Sequence, residues 1–214
     1  MKKLECVLFD ADGTIFDTAR AYYTTLINSY KKLGYNEDAS FEFFKKKLVN
    51  KNYFELLSKK GLNLGNKKDI EEFQNYFEKS AVEETQPFKG IEELIKKLYN
   101  NVKLGIVSNA DFEIMSKILS KTNLEKYFST IIYESEKPGI SGVNMSVDLL
   151  SVPKNGTVLI GDEKIDAICA ANAGINFIGV SWGYSDIKEF ERYKKIGIAK
   201  NVGELESMIF SLMH

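Results

Sequence analysis

From residue 87 to residue 180, short apolar runs alternate with segments of helical spacing. Short apolar runs that are bounded by turn residues are typical of buried strands. Strands and helices in alternation predict parallel βαβ units with right-handed crossovers, and therefore an α/β fold. The predicted strands cover residues 102–107, 130–133, 157–160 and 177–180, and the predicted helices cover residues 91–99, 112–119, 143–150 and 165–173.

An earlier apolar run, residues 4–9, stops at two carboxylates, Asp10 and Asp12, which are followed by Gly13 and Thr14. Alternate side chains of a strand point the same way, so both acids start on one side where the strand gives way to a turn. Carboxylates held this close repel each other unless a cation or a shared proton compensates. Oxygen-only ligands favour Mg²⁺. The alternative is a strand that runs into an ordinary Asp-Gly turn, and these residues alone leave both interpretations open.

Between this first strand and residue 87 the sequence shows helical spacing only. The helical segments contain, among others, Leu26, Leu48, Phe54, Leu57 and Phe77. We therefore predict an α/β core of residues 1–15 and 88–214 and a helical cap of residues 16–87. The chain passes between these regions twice, and paired crossings of this kind are typical of the hinge of a lid.

Composition excludes several classes of protein. The 214 residues carry a formal net charge of -1, so nothing predicts a surface for a nucleic acid polymer. The single histidine is His214, which excludes a Ser-His-Asp triad and a histidine-based zinc site. Cys6 and Cys169 form no CxxC motif and are predicted to be buried, which fits a reducing, cytoplasmic location. No stretch approaches the length of a membrane span, so we expect no membrane partner.

Polar residues follow four of the predicted strands at or soon after the point where each strand ends. They are, in chain order, Asp10 with Asp12, Ser108 with Asn109, Lys137, and Asp162. Ligands of an open parallel sheet bind beyond the carboxyl ends of its strands, so we expect these residues to meet at one edge. Each has a simpler explanation when it is taken singly. Ser108 with Asn109 could cap a helix, and Lys137 could be a solvated surface residue. Asp162 with Asp166 could favour a helix N-terminus through the dipole.

Together these residues resemble the four motifs of the haloacid dehalogenase-like hydrolase superfamily. The matching segments, in the order of the family, are Asp10-Ala11-Asp12-Gly13-Thr14, Ser108, Lys137-Pro138, and Gly161-Asp162 with Asp166. The resemblance covers nearly the whole chain, and residues 174–183 look like the phosphoglycolate phosphatase-like branch. It implies a three-layer, Rossmann-like parallel sheet with a helical cap inserted after the first strand.

The resemblance also implies a division of roles that suits the chemistry of the residues. Asp10 is the expected nucleophile, which forms an aspartyl-phosphate. Asp12 is the expected general acid and base, and an aspartate at that position favours a phosphatase over a dehalogenase. Ser108 is expected to bind a phosphoryl oxygen, and Lys137 to offset the negative charge of Asp10 and the phosphate.

The remaining expected roles concern the phosphate and a cofactor, Mg²⁺. Its ligands are expected to be Asp10, the backbone carbonyl of Asp12, and Asp162. Asp166 is expected to support the metal or to orient Lys137. Gly13, Thr14 and Asn109 are expected to complete the phosphate site, Gly13 through its tight turn and the other two through backbone N–H groups.

Two segments depart from the common family pattern. Glu163 and Lys164 follow Asp162 where many relatives carry small or polar residues, so Glu163 is either a further metal ligand or an exposed acid at a helix start. Gly139-Ile140-Ser141 follows Lys137-Pro138 in place of the usual acidic residue and second proline.

The sequence therefore predicts a Mg²⁺-dependent phosphatase that acts on a small phosphorylated metabolite, as a monomer or weak dimer. Phosphoglycolate, a sugar phosphate and a nucleoside monophosphate all remain open as substrates. The alternatives are a phosphomutase of the same superfamily and a non-catalytic phosphate-binding module.

Overall fold

The structure is a computed structural model, and it describes residues 3–32, 40–42, 44, 67–190, 193 and 196–213. The predicted helices around Leu48, Phe54 and Leu57 lie outside these residues, as does His214. Contacts within the chain divide it into two compact units, Met1–Asp17 with Pro87–His214, and Thr18–Gln86.

The first unit contains a six-stranded sheet in which every pairing is parallel. Its strands are β1 (Cys6–Phe9), β2 (Lys103–Val107), β3 (Thr130–Ile132), β4 (Thr157–Gly161), β5 (Asn176–Val180) and β6 (Gly197–Ala199). They lie in the order β3-β2-β1-β4-β5-β6, which is the order of a doubly wound Rossmann sheet. The predicted α/β class with a parallel sheet is confirmed.

Strands β1 and β4 form the centre of this sheet, and every residue of both is buried. Parallel sheets are covered by helices on both faces, which is why these strands are continuous apolar runs without polar alternation. Phe9, the last residue of β1, lies in register with Ile106 of β2 and Ile160 of β4. The three strands therefore end within one residue of one another, and the segments that follow them begin at one edge.

Five helices belong to the first unit among the residues that the structure describes. They are α3 (Ile91–Tyr99), α4 (Phe112–Thr122), α5 (Ser141–Leu150), α6 (Lys164–Ala173) and α7 (Val202–Ser211). The buried cluster between sheet and helices includes Val147 of α5, Ala170 of α6 and Leu159 of β4. Cys6 and Cys169 are buried in the same cluster, as predicted. Burial raises the pKa of the Cys6 thiol to about 12 and that of the Cys169 thiol to about 11, so both are inert thiols at neutral pH.

The described part of the second unit is helical. Its main helices are α1 (Ala19–Lys32) and α2 (Lys67–Glu84). The Ser80 hydroxyl of α2 donates a 3.3 Å hydrogen bond to the Ala21 carbonyl of α1. The Tyr23 ring of α1 lies edge-on to the rings of Phe41 and Phe44, at 5.4 and 5.6 Å between centroids. No helix among the described residues is both long and apolar enough to cross a membrane.

The predicted strands and helices of the α/β core agree with the observed bounds to within three residues at each end, but β6 and α7 were not predicted. Strand β6 has only three residues, too few to show a period. It is recognisable from its pairing with β5, in which Gly179 lies opposite Ile198. Helix α7 follows it and is capped by the Asn201 side chain, which accepts a 2.9 Å hydrogen bond from the Glu204 N–H.

Replacement of Asp111 by alanine should lower the free energy of unfolding by about 1 kcal/mol, the usual cost of losing a helix N-cap. The Asp111 carboxylate accepts hydrogen bonds from the backbone N–H groups of Glu113 (2.8 Å) and Ile114 (3.2 Å) at the start of α4. Thermal or urea unfolding measures the change. The matched control is Asp148→Ala on the exposed face of α5, which should change the free energy by less than about 0.5 kcal/mol. Equal effects of the two substitutions would contradict the capping role.

Candidate active site

The turn after β1 places Asp10 at the edge where the strands end. The Asp10 N–H still donates to the Ile160 carbonyl of β4 at 2.8 Å, so this residue is held as an extension of the sheet. The N–H groups of Ile15 and Phe16 then both donate to the Ala11 carbonyl at 2.9 Å, which closes a compact turn. Gly13 has a φ of 73° within it, in the left-handed region that glycine enters without steric cost.

Lys137 reaches this turn from the loop after β3. Its Nζ lies 2.5 Å from Asp10 Oδ1 and 2.6 Å from Asp166 Oδ1, and all three side chains are buried. Burial disfavours the charged ammonium, but Asp10 and Asp166 outweigh that effect and raise the pKa of Lys137 above its ordinary value. Lys137 is therefore a charged, buried partner of two carboxylates, and the alternative of a solvated surface lysine does not apply.

Asp162 follows β4 and is completely buried beside the same turn. Its Oδ1 accepts a 3.0 Å hydrogen bond from the Thr14 hydroxyl, and its Oδ2 accepts a 2.7 Å hydrogen bond from the Tyr184 N–H. Burial, and after it the nearby Asp166 carboxylate, raise the pKa of Asp162 to about 8 against the lowering effect of these two donors. Burial also raises the pKa of Asp10, and Lys137 opposes that rise.

Glycines make the space that these buried acids occupy. A Cβ atom built on Gly13 or on Gly183 would overlap the Asp162 carboxylate, and one built on Gly161 would overlap Asp166. Asp162 therefore lies in a cradle between two backbone segments that any larger residue would fill. This explains why glycine stands at both positions without any appeal to backbone flexibility at Gly183.

Asp10, Asp162 and Asp166 form a cluster that fits a divalent cation. Each offers a carboxylate oxygen within 4.8 Å of the others, and all three are buried. Three carboxylates around the single ammonium of Lys137 leave an excess of negative charge, which burial makes costly unless a further cation or protons are bound. The donors are oxygen atoms only, the set that Mg²⁺ prefers.

Asp166 contacts both the lysine and the start of the helix that follows Asp162. Its Oδ1 contacts Lys137, while its Oδ2 accepts a 3.0 Å hydrogen bond from the Glu163 N–H at the start of α6. One oxygen of Asp166 is therefore paired with the lysine, and the other satisfies a backbone N–H at the helix N-terminus. Glu163 is the half-buried residue before that helix, and burial, followed by the Asp166 charge, raises its pKa. Asp12 is also half-buried, and its backbone bridges to Phe16.

Ser108 and Asn109 continue from β2 at the same edge. Ser108 is completely buried, and its Oγ accepts a 3.0 Å hydrogen bond from the Ala110 N–H. A hydroxyl that accepts in this way keeps its hydrogen for a further acceptor, such as a phosphoryl oxygen.

The Asn109 side chain holds the backbone around Lys137, a function that the sequence did not reveal. Its Oδ1 accepts from the Lys137 N–H at 2.7 Å and from the Ser135 hydroxyl at 2.9 Å, and its Nδ2 donates to the Lys137 carbonyl at 3.1 Å. Glu134 and Glu136 in this loop have φ angles of 47° and 54°, a region that costs non-glycine residues free energy. Three hydrogen bonds to one carboxamide offset that cost and fix the lysine.

The sequence did not predict the contacts of Trp182 and Tyr184 with the site. Residues 174–183 indicated only a branch of the family. Tyr184 donates its N–H to Asp162, and the Trp182 indole N–H donates to the Thr14 carbonyl at 3.2 Å. Trp-Gly-Tyr after an apolar strand was the available signal, but its target lies about 168 residues away in sequence.

Replacement of Gly183 by alanine should destabilise the protein by about 1–3 kcal/mol, because the new methyl group overlaps the Asp162 carboxylate. It should also weaken the stabilisation of the protein by added Mg²⁺, measured as the shift in melting temperature. The control is Gly203→Ala at the start of α7, where the added Cβ meets only the Asn201 Oδ1 atom, at 3.3 Å. A Gly183→Ala protein with an unchanged melting temperature would contradict the cradle.

Comparison with known proteins identifies the family. The haloacid dehalogenase-like hydrolase family matches residues 7–180. A phosphoglycolate phosphatase of Aquifex aeolicus is 27% identical over 186 residues, which are 85% of this chain and 86% of that protein. The pyrophosphatase PpaX of Listeria welshimeri is 23% identical over 217 residues, 97% of each chain.

The fold is shared with solved structures as well. A haloacid dehalogenase-like family hydrolase of Streptococcus pneumoniae superposes with a TM-score of 0.79 at 19% identity, and covers 99% of this chain and 100% of that one. The predicted resemblance is thereby confirmed: the chain belongs to the haloacid dehalogenase-like hydrolase family.

Proposed function

We propose that this protein is a Mg²⁺-dependent phosphatase that hydrolyses a small phosphorylated metabolite through an aspartyl-phosphate. The observation that carries the proposal is the buried Asp10 carboxylate at the end of β1, with Lys137 Nζ at 2.5 Å and a second aspartate two residues further on. A nucleophile, an acid and a fixed positive charge are the protein groups that phosphoryl transfer to a carboxylate requires.

Asp10 and Asp12 divide the covalent chemistry. An oxygen of the Asp10 carboxylate attacks phosphorus, while the ester oxygen leaves and takes a proton from the Asp12 carboxyl group. Asp12, now a carboxylate, removes a proton from water as the water attacks the phosphorus of the aspartyl-phosphate. Inorganic phosphate leaves, and both aspartates return to their starting states.

Lys137 and Ser108 stabilise the charge that gathers on the phosphoryl group. Lys137 is fixed between Asp10 and Asp166 before any substrate binds, so it needs no reorganisation during the reaction. The Ser108 hydroxyl keeps a hydrogen to donate to a phosphoryl oxygen. The N–H groups of Thr14 and Asn109, and the turn at Gly13, are proposed to complete the phosphate site.

The proposed metal ligands are Asp10, the backbone carbonyl of Asp12, and Asp162. Mg²⁺ bound there would neutralise negative charge on the phosphoryl oxygens and on the aspartates. Asp166 contacts Lys137 through Oδ1 and the Glu163 N–H through Oδ2, and its proposed function is to orient Lys137.

The relatives define the substrates to be tested first. Their names give phosphoglycolate and pyrophosphate, so the anhydride joins the sugar phosphates and nucleoside monophosphates that the sequence left open. A panel of these compounds, compared by kcat/KM, identifies the preferred class. Release of inorganic phosphate without formation of an isomer separates the phosphatase from a phosphomutase.

Replacement of Asp10 by asparagine should abolish Mg²⁺-dependent hydrolysis of p-nitrophenyl phosphate, with a loss of about 10³-fold or more, as for other nucleophile deletions. The substitution keeps the shape of the side chain but removes the attacking carboxylate oxygen. Asp148→Asn on the exposed face of α5 is the matched control and should keep full activity. Phosphatase activity that survives Asp10→Asn would overturn the mechanism.

The stability of the metal-free protein should fall as the pH rises from about 4 to about 8. Asp162 has a pKa raised from 3.8 to about 8, so the folded state holds a proton there that the unfolded state releases. Its stabilising contribution is therefore complete below pH 3.8 and is lost as the pH rises through about 8. A bound cation replaces that proton, so the increase in melting temperature caused by Mg²⁺ should be larger at about pH 8 than at about pH 6.

Thermal unfolding in EDTA and in Mg²⁺ at the two pH values measures this dependence. Asp162→Asn cannot ionise and should reduce both the decline in EDTA and the effect of Mg²⁺. An equal Mg²⁺ effect at both pH values would exclude Asp162 as the linked group.

A further inference from the structure

We propose that Trp182 is a positioning residue for the divalent cation, because it locks together the two segments that hold the Asp162 carboxylate. The inference rests on the metal site of the proposed function. Trp182 would affect cation affinity indirectly, because its indole N–H donates to the Thr14 carbonyl and not to one of the clustered carboxylates.

The two oxygens of Asp162 are each held by a donor from a different part of the chain. Thr14, in the turn after β1, donates its hydroxyl to Oδ1 at 3.0 Å. Tyr184, in the loop after β5, donates its backbone N–H to Oδ2 at 2.7 Å. The direction of the carboxylate therefore depends on the distance between the turn and the loop. A change in that distance would release one of the two oxygens.

Trp182 fixes that distance with a hydrogen bond of its own. Its indole Nε1–H donates to the Thr14 carbonyl at 3.2 Å. Thr14 thus donates to Asp162 through its side chain and accepts from Trp182 through its backbone, while Tyr184 lies two residues from Trp182. The contacts close a ring that runs from Asp162 through Thr14 and Trp182 to Tyr184 and back to Asp162.

The loop of residues 181–184 is attached both to the sheet and, through the indole, to the turn after β1. The Ser181 N–H donates to the Ala199 carbonyl of β6 at 3.0 Å, which ties the start of the loop to the sheet. The Trp182 ring lies edge-on to Phe88, at 6.4 Å between centroids. Phe88 is itself attached to the turn, because its N–H donates to the Ile15 carbonyl at 2.8 Å. The indole is therefore held to the turn by one hydrogen bond and one ring contact.

The cradle gives this ring its effect on the metal site. Gly13 and Gly183 approach Asp162 so closely that neither has room for a Cβ atom, so the loop and the turn enclose the carboxylate like two walls. Partners that orient a ligand commonly control metal affinity without contacting the metal. Loss of the indole hydrogen bond should let the walls separate and should weaken cation binding.

Trp182 is also the only tryptophan in the chain, which gives the proposal a direct readout. Its fluorescence emission should change when a cation binds Asp162. The indole N–H is hydrogen-bonded to Thr14, and the Thr14 hydroxyl donates to Asp162 Oδ1. A titration of the native protein with Mg²⁺ alone should change the fluorescence with the same midpoint that calorimetry gives. Asp162→Asn should abolish that change.

The decisive experiment compares Trp182→Phe with the native protein by calorimetric titration with Mg²⁺ alone, with no substrate present. Phenylalanine keeps an aromatic ring against Phe88 and removes only the N–H donor and the second ring. We expect the dissociation constant for Mg²⁺ to rise about 3- to 10-fold, which is at or below the lower limit of the effects of partners that contact a metal ligand directly. The activity of the variant should recover most of its native value when Mg²⁺ is raised to saturation.

The matched control is Phe88→Leu, which removes the ring contact and keeps the indole hydrogen bond. It should change the Mg²⁺ affinity by less than about 2-fold, because the hydrogen bond is the link that carries the effect. Equal Mg²⁺ affinity of Trp182→Phe and the native protein would overturn the proposal. If Trp182→Phe does not fold, an unchanged fluorescence of the native protein on saturation with Mg²⁺ would overturn it instead.

Failure of this proposal is distinguishable from failure of the proposed function. Cation binding that depends on Asp162 and Trp182 in a protein without phosphatase activity would keep the positioning role and reject the activity. A different result would keep the activity and reject the positioning role. In it, Asp10→Asn abolishes the phosphatase activity, but the native protein and Trp182→Phe need the same concentration of Mg²⁺ for activity. A native protein that binds no Mg²⁺ at all would overturn both the metal dependence and the role of Trp182.

Discussion

The buried ammonium of Lys137, held between Asp10 and Asp166, is the interaction on which the rest of the site depends. Two charged residues of opposite sign are expensive to bury, and removal of one partner from such a pair typically costs about 3–5 kcal/mol. The lysine makes burial of Asp10 tolerable while leaving the cluster short of positive charge, since Asp162 lies beside the same carboxylates. That shortage is the physical basis for expecting a cation, and a phosphate dianion would in turn require both positive groups. The fold has to bring the three carboxylates to one place against their mutual repulsion.

The topology of the sheet places these side chains close together. The order β3-β2-β1-β4-β5-β6 reverses direction between β1 and β4, and ligands of doubly wound sheets bind at such a reversal. Asp10 leaves β1 and Asp162 leaves β4, so the two carboxylates come from the two strands that flank the reversal. Lys137 arrives from beyond β3, two strands away, and its backbone is therefore the part that needs separate support. Asn109, at the end of the intervening strand β2, supplies that support with three hydrogen bonds.

The sequence predicted the parts of this arrangement that are written in local patterns. The strand that ends at Asp10 is a continuous apolar run because both faces of the sheet are covered, so its existence and its end could be recognised from eleven or so neighbouring residues. Ser108 and Asp162 were found for the same reason. Strand β6 was missed because three residues carry no period, and its position is set by pairing with β5. The function of the Asn109 carboxamide was missed because it depends on the left-handed backbone of Glu134 and Glu136, which no pattern of residue types indicates.

The glycines of the site show why local patterns reach this limit. Gly13 was assigned to a tight turn, and its φ of 73° agrees, but the structure adds a second constraint at the same residue, because a Cβ there would overlap Asp162. Gly183 meets the same carboxylate from a loop that lies 170 residues later in the chain, and Gly161 makes room for Asp166. A glycine that is required by backbone conformation can be recognised from the residues next to it in the sequence. A glycine required by a distant side chain can be recognised only once the fold has brought the two together, and that kind of requirement defines the walls around Asp162. Substitutions at these positions are therefore better judged by what they would displace than by the flexibility they would remove.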